Sequence, residues 1–176
     1  MIADVLIYGS RILRQHSEEV VNNNKLEEFI NTLFETLEKK GGIGLAAPQI
    51  GELKRTFVMD TFPLDDEQVE KFKRVVINPL ILATSNETVR YSEGCLSIPD
   101  IWEEVERPKE IEVRYLDETF EPVERKLNGT EARIFQHEYD HLEGILFIDK
   151  IHPMRKVMIS GKLKSLVQKT KKYHRR

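Results

Sequence analysis

Two histidines four positions apart, His137 and His141, flank a glutamate, Glu138, in the pattern H-E-x-x-H. At 3.6 residues per helical turn, positions i and i+4 lie about 40° apart on one face, so both imidazoles can reach one cation while Glu138 projects beside it. A divalent metal with an open coordination position lowers the pKa of its bound water towards about 7. An adjacent carboxylate can take that proton and later pass it to a leaving group. The plain alternative is a chance pair of histidines, one partly buried and one exposed. What separates the two readings is a third protein ligand, which catalytic sites of this kind usually need.

Two common sources of that ligand are missing. One class of zinc protease places a third histidine six residues after the second; here Gly144 sits where that class has its glycine, but the ligand position is Phe147. Another class uses a downstream glutamate, and the chain has no Glu after Glu143. The third ligand must therefore come from upstream. Cys95 is a candidate: as the only cysteine it cannot form an intrachain disulfide, and a thiolate binds borderline and soft divalent metals tightly. Taken alone, a cysteine is more often a buried packing residue, and spacing does not show that it meets the helix.

The elements that must position these residues have their own signals. Val5 to Tyr8 reads as a short opening strand. Leu26, Phe29, Ile30, Leu33, Phe34 and Leu37 follow a helical face, with Asn24 and Glu27 resembling a capping box and Gly41-Gly42 as the stop. From Arg55 to Tyr115 come short β-rich runs, TFVMD, RVVI, ETVRYS and EIEVRYL, separated by Pro, Asn-Pro, Asp-Asp and Arg-Pro breaks; PVERKL alternates in the same way. Together they predict several antiparallel strands. Asn128-Gly129-Thr130-Glu131 starts a second helix, which runs through Leu142, contains the H-E-x-x-H motif and closes at Gly144. Ile159, Leu163, Leu166 and Val167 predict a basic amphipathic C-terminal helix. The order of elements indicates an α+β domain.

The bulk properties agree. A chain of 176 residues, 40% hydrophobic and 32% charged, suits one globular domain spanning 1–176 and is neither a disordered nor a membrane composition. No run approaches the roughly 20 apolar residues of a membrane span, and the first ten residues lack the features of an export signal, so the expected compartment is cytoplasmic. The net charge of −3 hides an asymmetry: nine Lys or Arg and no Asp or Glu lie between Arg155 and Arg176, leaving the remainder at −12 (18 basic against 30 acidic). Such a split can mark an interaction tail.

Three segments together resemble the peptide deformylase family: G-I-G-L-A-A-P-Q from Gly42 to Gln49, E-G-C-L-S from Glu93 to Ser97, and Q-H-E-Y-D-H from Gln136 to His141. They occur in the family's order, and the resemblance extends from about Tyr8 to Asp149. It implies antiparallel β-sheets packed around the H-E-x-x-H helix, and a single divalent ion held by Cys95, His137 and His141, with Fe(II) as the native metal and Zn(II) or Ni(II) able to occupy the same site. It implies an enzyme that removes the N-formyl group from the N-terminal formyl-methionine of new polypeptides, with Glu138 as general base and acid. Gln49 and the backbone N–H of Leu96 would stabilise the oxyanion. Gly42, Ile43, Gly44, Gly94 and Leu96 would bind an extended substrate between two loops, with Ile43 and Leu96 lining the methionine pocket. Glycine suits such places because backbone can approach closely where there is no Cβ.

The chain departs from the family pattern in two places. After Pro99 the loop expected at D-I-W-E-E-V-E-R-P carries Trp102, Glu103 and Glu104 where some relatives have a basic residue that helps hold the substrate backbone. Near the N-terminus, Gly9-Ser10-Arg11-Ile12-Leu13 replaces a more common Gly-Asp-Pro form, a change confined to a turn. Glu93 is a candidate to orient a ligand histidine, since ligating imidazoles commonly donate their other N–H to a carboxylate. The basic C-terminal segment suggests contact with the ribosome, against the plainer reading of a solvated helix face. The expected state is a monomer without membrane contact. The competing function is a zinc endopeptidase of the H-E-x-x-H type.

Overall fold

The computed structural model describes residues 2–173. A five-stranded antiparallel sheet forms the centre, in the order β1 (Gly44–Ala46), β2 (Thr56–Asp60), β3 (Lys73–Thr84), β6 (Glu110–Leu116), β7 (Pro122–Asn128), and a separate hairpin is made by β4 (Thr88–Cys95) and β5 (Ile98–Pro108). Helix α1 (Leu26–Lys40) lies on one face of the sheet and α2 (Gly129–Leu142) on the other, while α3 (Pro153–Tyr173) packs on the hairpin. This is the expected α+β class.

The period of two in β2 explains how the sheet is gripped from both sides. Phe57 and Met59 join Phe135 of α2 in one core cluster, whereas Val58 joins Leu33 and Leu37 of α1 in another. All five residues of β2 are buried, as a strand covered on both faces requires. Phe57 meets Phe135 edge-on, with ring centroids 5.1 Å apart. The motif helix is therefore fixed on the sheet by its apolar face, and its histidines are left to face the hairpin.

Four expectations need correction. Val5 to Tyr8 forms no strand, because its hydrogen bonds go to two different segments: Leu6 N donates to Gln49 O at 2.7 Å and Tyr8 N to Ser97 O at 2.8 Å. The capping box of Asn24 and Glu27 does not form; Asn23 accepts from Lys25 N at 2.9 Å in a local turn, and Lys25 precedes the helix without a side-chain cap. Asn78-Pro79 does not break a strand. β3 runs through it with a register shift between Ile77 and Leu80 and with Asn78 at φ 49°, which is how a sheet absorbs a proline that cannot donate. Finally, the presumed loop after Pro99 is β5, whose Ile101, Glu103, Val105 and Arg107 point inwards in strict alternation. Its charged inward residues hid the strand, because they alternate in burial but not in polarity.

The C-terminal helix buries Ile159, Leu163 and Leu166 as expected, with Val167 half-buried beside them. Pro153 opens it, a position where the missing N–H costs nothing. Of the basic tail, residues 174–176 lie outside the described residues.

Candidate metal centre

Each side chain of the cluster arrives on a different kind of support. His137 and His141 come from one face of α2, Cys95 from the end of β4, and Gln49 from a single 3-10 turn, Ala47–Ile50, that follows β1. The sulfur and the two imidazoles offer ligand atoms within 4.8 Å of one another, and Cys95 Sγ lies 3.3 Å from His141 Nε2. The two rings stand nearly perpendicular, 5.2 Å between centroids. Phe147, at the position where one protease class has its third ligand, instead stacks on His137 at 6.0 Å.

The donor set fits a cation on three grounds. His137 Nδ1 meets Glu93 Oε2 at 2.9 Å, so Nδ1 carries the hydrogen and Nε2 keeps its lone pair for the cluster. A thiol and two imidazoles are the donors that borderline divalent ions such as Zn(II) and Fe(II) accept. Glu138 Oε2 is buried with no hydrogen-bond partner among the described residues, a condition that costs about 1–3 kcal/mol in a site built only for packing.

Behind the cluster lies a network of charges that sequence reasoning only touched. Arg107 from β5 holds Glu93 through two hydrogen bonds, at 2.7 and 2.9 Å, and reaches Asp140 of α2 at 2.6 Å. Arg133 adds a bond to Glu93 Oε1 at 2.7 Å. All four residues are buried. Burial pushes the Glu93 carboxyl up, but the hydrogen bonds from Arg107 and His137 outweigh it and hold Glu93 well below the usual carboxylate range. Burial holds His141 well below its ordinary value, which keeps its imidazole neutral and able to offer a lone pair. Glu138 is raised by burial to about 7, against the pull of His137. Arg107 and Asp140 could have been suspected only from being polar at inward positions of a strand and of the motif helix.

Gln49 is fully buried and its orientation is fixed: Oε1 accepts from Ala46 N at 2.8 Å, so the amide Nε2 points at Ser97 Oγ, 3.2 Å away, and at Cys95 Sγ, 3.5 Å away. Ser97 closes the E-G-C-L-S segment, to which the sequence reading gave no role of its own. Leu96 and Ile43 are half-buried on either side, packed against different core clusters. The glycines reveal a reason beyond access for a ligand. A Cβ on Gly44 would lie 2.4 Å from Glu138 Oε1, and one on Gly42 would lie 3.0 Å from Leu96 Cδ1. A Cβ on Gly94 would strike the Trp102 ring at 2.8 Å. The strand β1 thus passes directly over the carboxylate of the motif, and it is an edge strand, paired only with β2.

Comparison with known proteins agrees with this geometry. Residues 2–157 match the family model for polypeptide deformylase. Among curated relatives, the chain is 41% identical to a peptide deformylase of Salinibacter ruber, over 95% of this chain and 89% of the relative. It is 42% identical to one of Fusobacterium nucleatum, over 98% and 97%. A crystal structure of peptide deformylase from Plasmodium falciparum superposes with a TM-score of 0.90 at 37% identity, covering 97% of this chain and 99% of that one. The chain therefore belongs to the polypeptide deformylase family, hydrolases that remove the N-formyl group from new peptides.

Proposed function

We propose that Cys95, His137 and His141 hold one divalent cation, natively Fe(II), with Zn(II) or Ni(II) able to replace it, and that this chain uses it to release formate from N-formyl-methionyl polypeptides. The observation that carries the reading is the convergence of the three ligand atoms within 4.8 Å beside Glu138 and the aimed amide of Gln49. Bound there, the cation supplies an acidified water and polarises the formyl oxygen.

The chain's residues do the rest. Glu138, buried beside the two imidazoles with Oε2 free of any hydrogen-bond partner among the described residues, is placed to take a proton from the attacking water and to return it to the departing amine as the formyl C–N bond breaks. Gln49 Nε2 and the N–H of Leu96 stabilise the negative charge that grows on the formyl oxygen. They act mainly in the transition state, and loss of one such donor should cost about 100- to 1,000-fold in rate. The free edge of β1, with Gly42, Ile43 and Gly44, accepts the substrate as an added strand against Gly94. Ile43 and Leu96 take the methionine side chain.

Formate release from formyl-Met-Ala-Ser, run beside casein digestion, tests the reading. Turnover of the first without the second is expected, and casein cleavage would instead favour the endopeptidase reading. Glu138→Gln should lower kcat by at least 100-fold while the cation stays bound.

The setting is a cytoplasmic monomer working on nascent chains; among the described residues no helix is long and apolar enough to cross a membrane. The cations of α3 supply a face suited to ribosomal RNA phosphates. Truncation before Arg155 should weaken ribosome cosedimentation, most clearly at low salt; unchanged binding would remove α3 from that role.

A further inference from the structure

We propose that Ser97 is a positioning residue for deformylation: its hydroxyl accepts one N–H of the Gln49 amide and thereby aims the other at the formyl oxygen. This rests on the deformylase reading above. Ser97 is fully buried. The β4–β5 ladder closes with Cys95 opposite Ile98, so Leu96 and Ser97 are the two residues of the hairpin turn. The thiol, the N–H of Leu96 and this hydroxyl are therefore carried by three consecutive residues as one unit. Tyr8 N pins that unit to the N-terminal segment by donating to Ser97 O at 2.8 Å, and the same segment holds the Gln49 turn, where Leu6 N donates to Gln49 O at 2.7 Å.

The Gln49 side chain needs a second anchor. Its Oε1 is fixed by Ala46 N at 2.8 Å, but a single hydrogen bond fixes only a point, and the terminal torsion of a glutamine is broad. The amide plane could still swing about that contact. The bond from Nε2 to Ser97 Oγ, at 3.2 Å, supplies a second point and sets the plane. An amide nitrogen carries two N–H groups; with one committed to Ser97, the other faces Cys95 Sγ at 3.5 Å, on the side where the cation ligands converge. Ser97 Oγ is free to accept, since Gln49 is its one hydrogen-bond partner among the described residues. Without that oxygen, the acceptor left to Nε2 among the described residues is the Cys95 sulfur. The N–H that should meet the growing negative charge would then be drawn to a metal ligand. A donor aimed before the reaction costs no reorganisation during it, which is why its direction matters as much as its presence.

The test is a double-mutant cycle on the cation-loaded enzyme with formyl-Met-Ala-Ser. Ser97→Ala should lower kcat by about 10-fold and leave KM within about 2-fold, because a donor that acts in the transition state is misdirected without being removed. In a Gln49→Ala background the same substitution should change kcat by less than about 2-fold, since its effect passes through the amide. Circular dichroism should show Ser97→Ala folded, as alanine occupies less space than serine and introduces no clash. Apart from turnover, the zinc-loaded crystal structure of Ser97→Ala should show the Gln49 amide rotated towards Cys95 relative to wild type. Equal losses of kcat with and without Gln49, or an amide plane unchanged in that crystal structure, would overturn the role of Ser97 and leave the deformylase reading intact. Absence of formate release from the wild-type enzyme would overturn both.

Discussion

At the scale of single residues, the centre depends on what small side chains allow as much as on what ligands donate. Gly44 is the sharpest case, since a methyl there would sit 2.4 Å from Glu138 Oε1. Gly44→Ala should displace the carboxylate, and because a shift of about 1 Å in a catalytic group can cost about 100-fold, turnover should fall by that order while circular dichroism and melting change little. Glu93 shows the opposite dependence, on charge. It is the common partner of Arg107, Arg133 and His137, and removing one member of a buried ionic group leaves the others uncompensated, at about 3–5 kcal/mol. Glu93→Gln should therefore lower stability by that order in urea titration and weaken cation affinity by about 10- to 100-fold.

At the scale of elements, the proposed metal ligands are held by connections that are short in space and long in sequence. The extended segment around Leu6 and Tyr8 binds the carbonyls of both Gln49 and Ser97, tying the turn that carries the buried amide to the hairpin that carries the thiol. The link between α2 and α3 is secured by Asp149, which accepts from Leu146 N at 2.9 Å, pairs with Arg14 and lies 3.5 Å from Lys156. Burial raises its carboxyl, but the Arg14 and Leu146 hydrogen bonds outweigh that and hold it below the ordinary Asp value. A carboxyl depressed on folding stabilises fully above its unfolded pKa, about 3.9, and loses that contribution as pH falls through the lower folded value. Asp149→Asn should cost about 1 kcal/mol at pH 7, the pair being partly exposed. The difference from wild type should persist down to about pH 4 and close below it, as measured by thermal melts across pH.

For the whole molecule, three apolar clusters carry the fold: α1 with one face of the sheet, α2 with the other, and α3 with the hairpin. The proposed cation ligands lie where the second and third meet, so a bound cation should reinforce a structure that already stands. A chelator should therefore leave the secondary structure intact. At a free metal concentration of 100 times Kd, rebinding adds about 2.7 kcal/mol, which for a chain of this size raises Tm by about 5–10 °C. Scanning calorimetry with and without chelator checks this; loss of the folded signal on chelation would mean that the metal is a structural requirement.

How much of this was legible beforehand follows from the range of each interaction. The motif helix and its three chemical groups could be read directly, because a spacing of four residues is a local property of one helix. So could α1 and the runs that became β6 and β7, whose polarity follows their period, and β2, a short apolar run bounded by breaks. The β5 strand could not, because Glu103 and Arg107 are buried in partnership with groups distant in sequence, Arg155 for the first and Glu93 and Asp140 for the second, and a charged residue announces its partner nowhere in its own segment. The sequence by itself determined which residues can bind a cation and move a proton. Only the tertiary structure decided that Cys95 meets the two imidazoles, that Gln49 turns its amide towards them and that Trp102 lies on Gly94, because each depends on chain segments brought together by burial rather than by spacing.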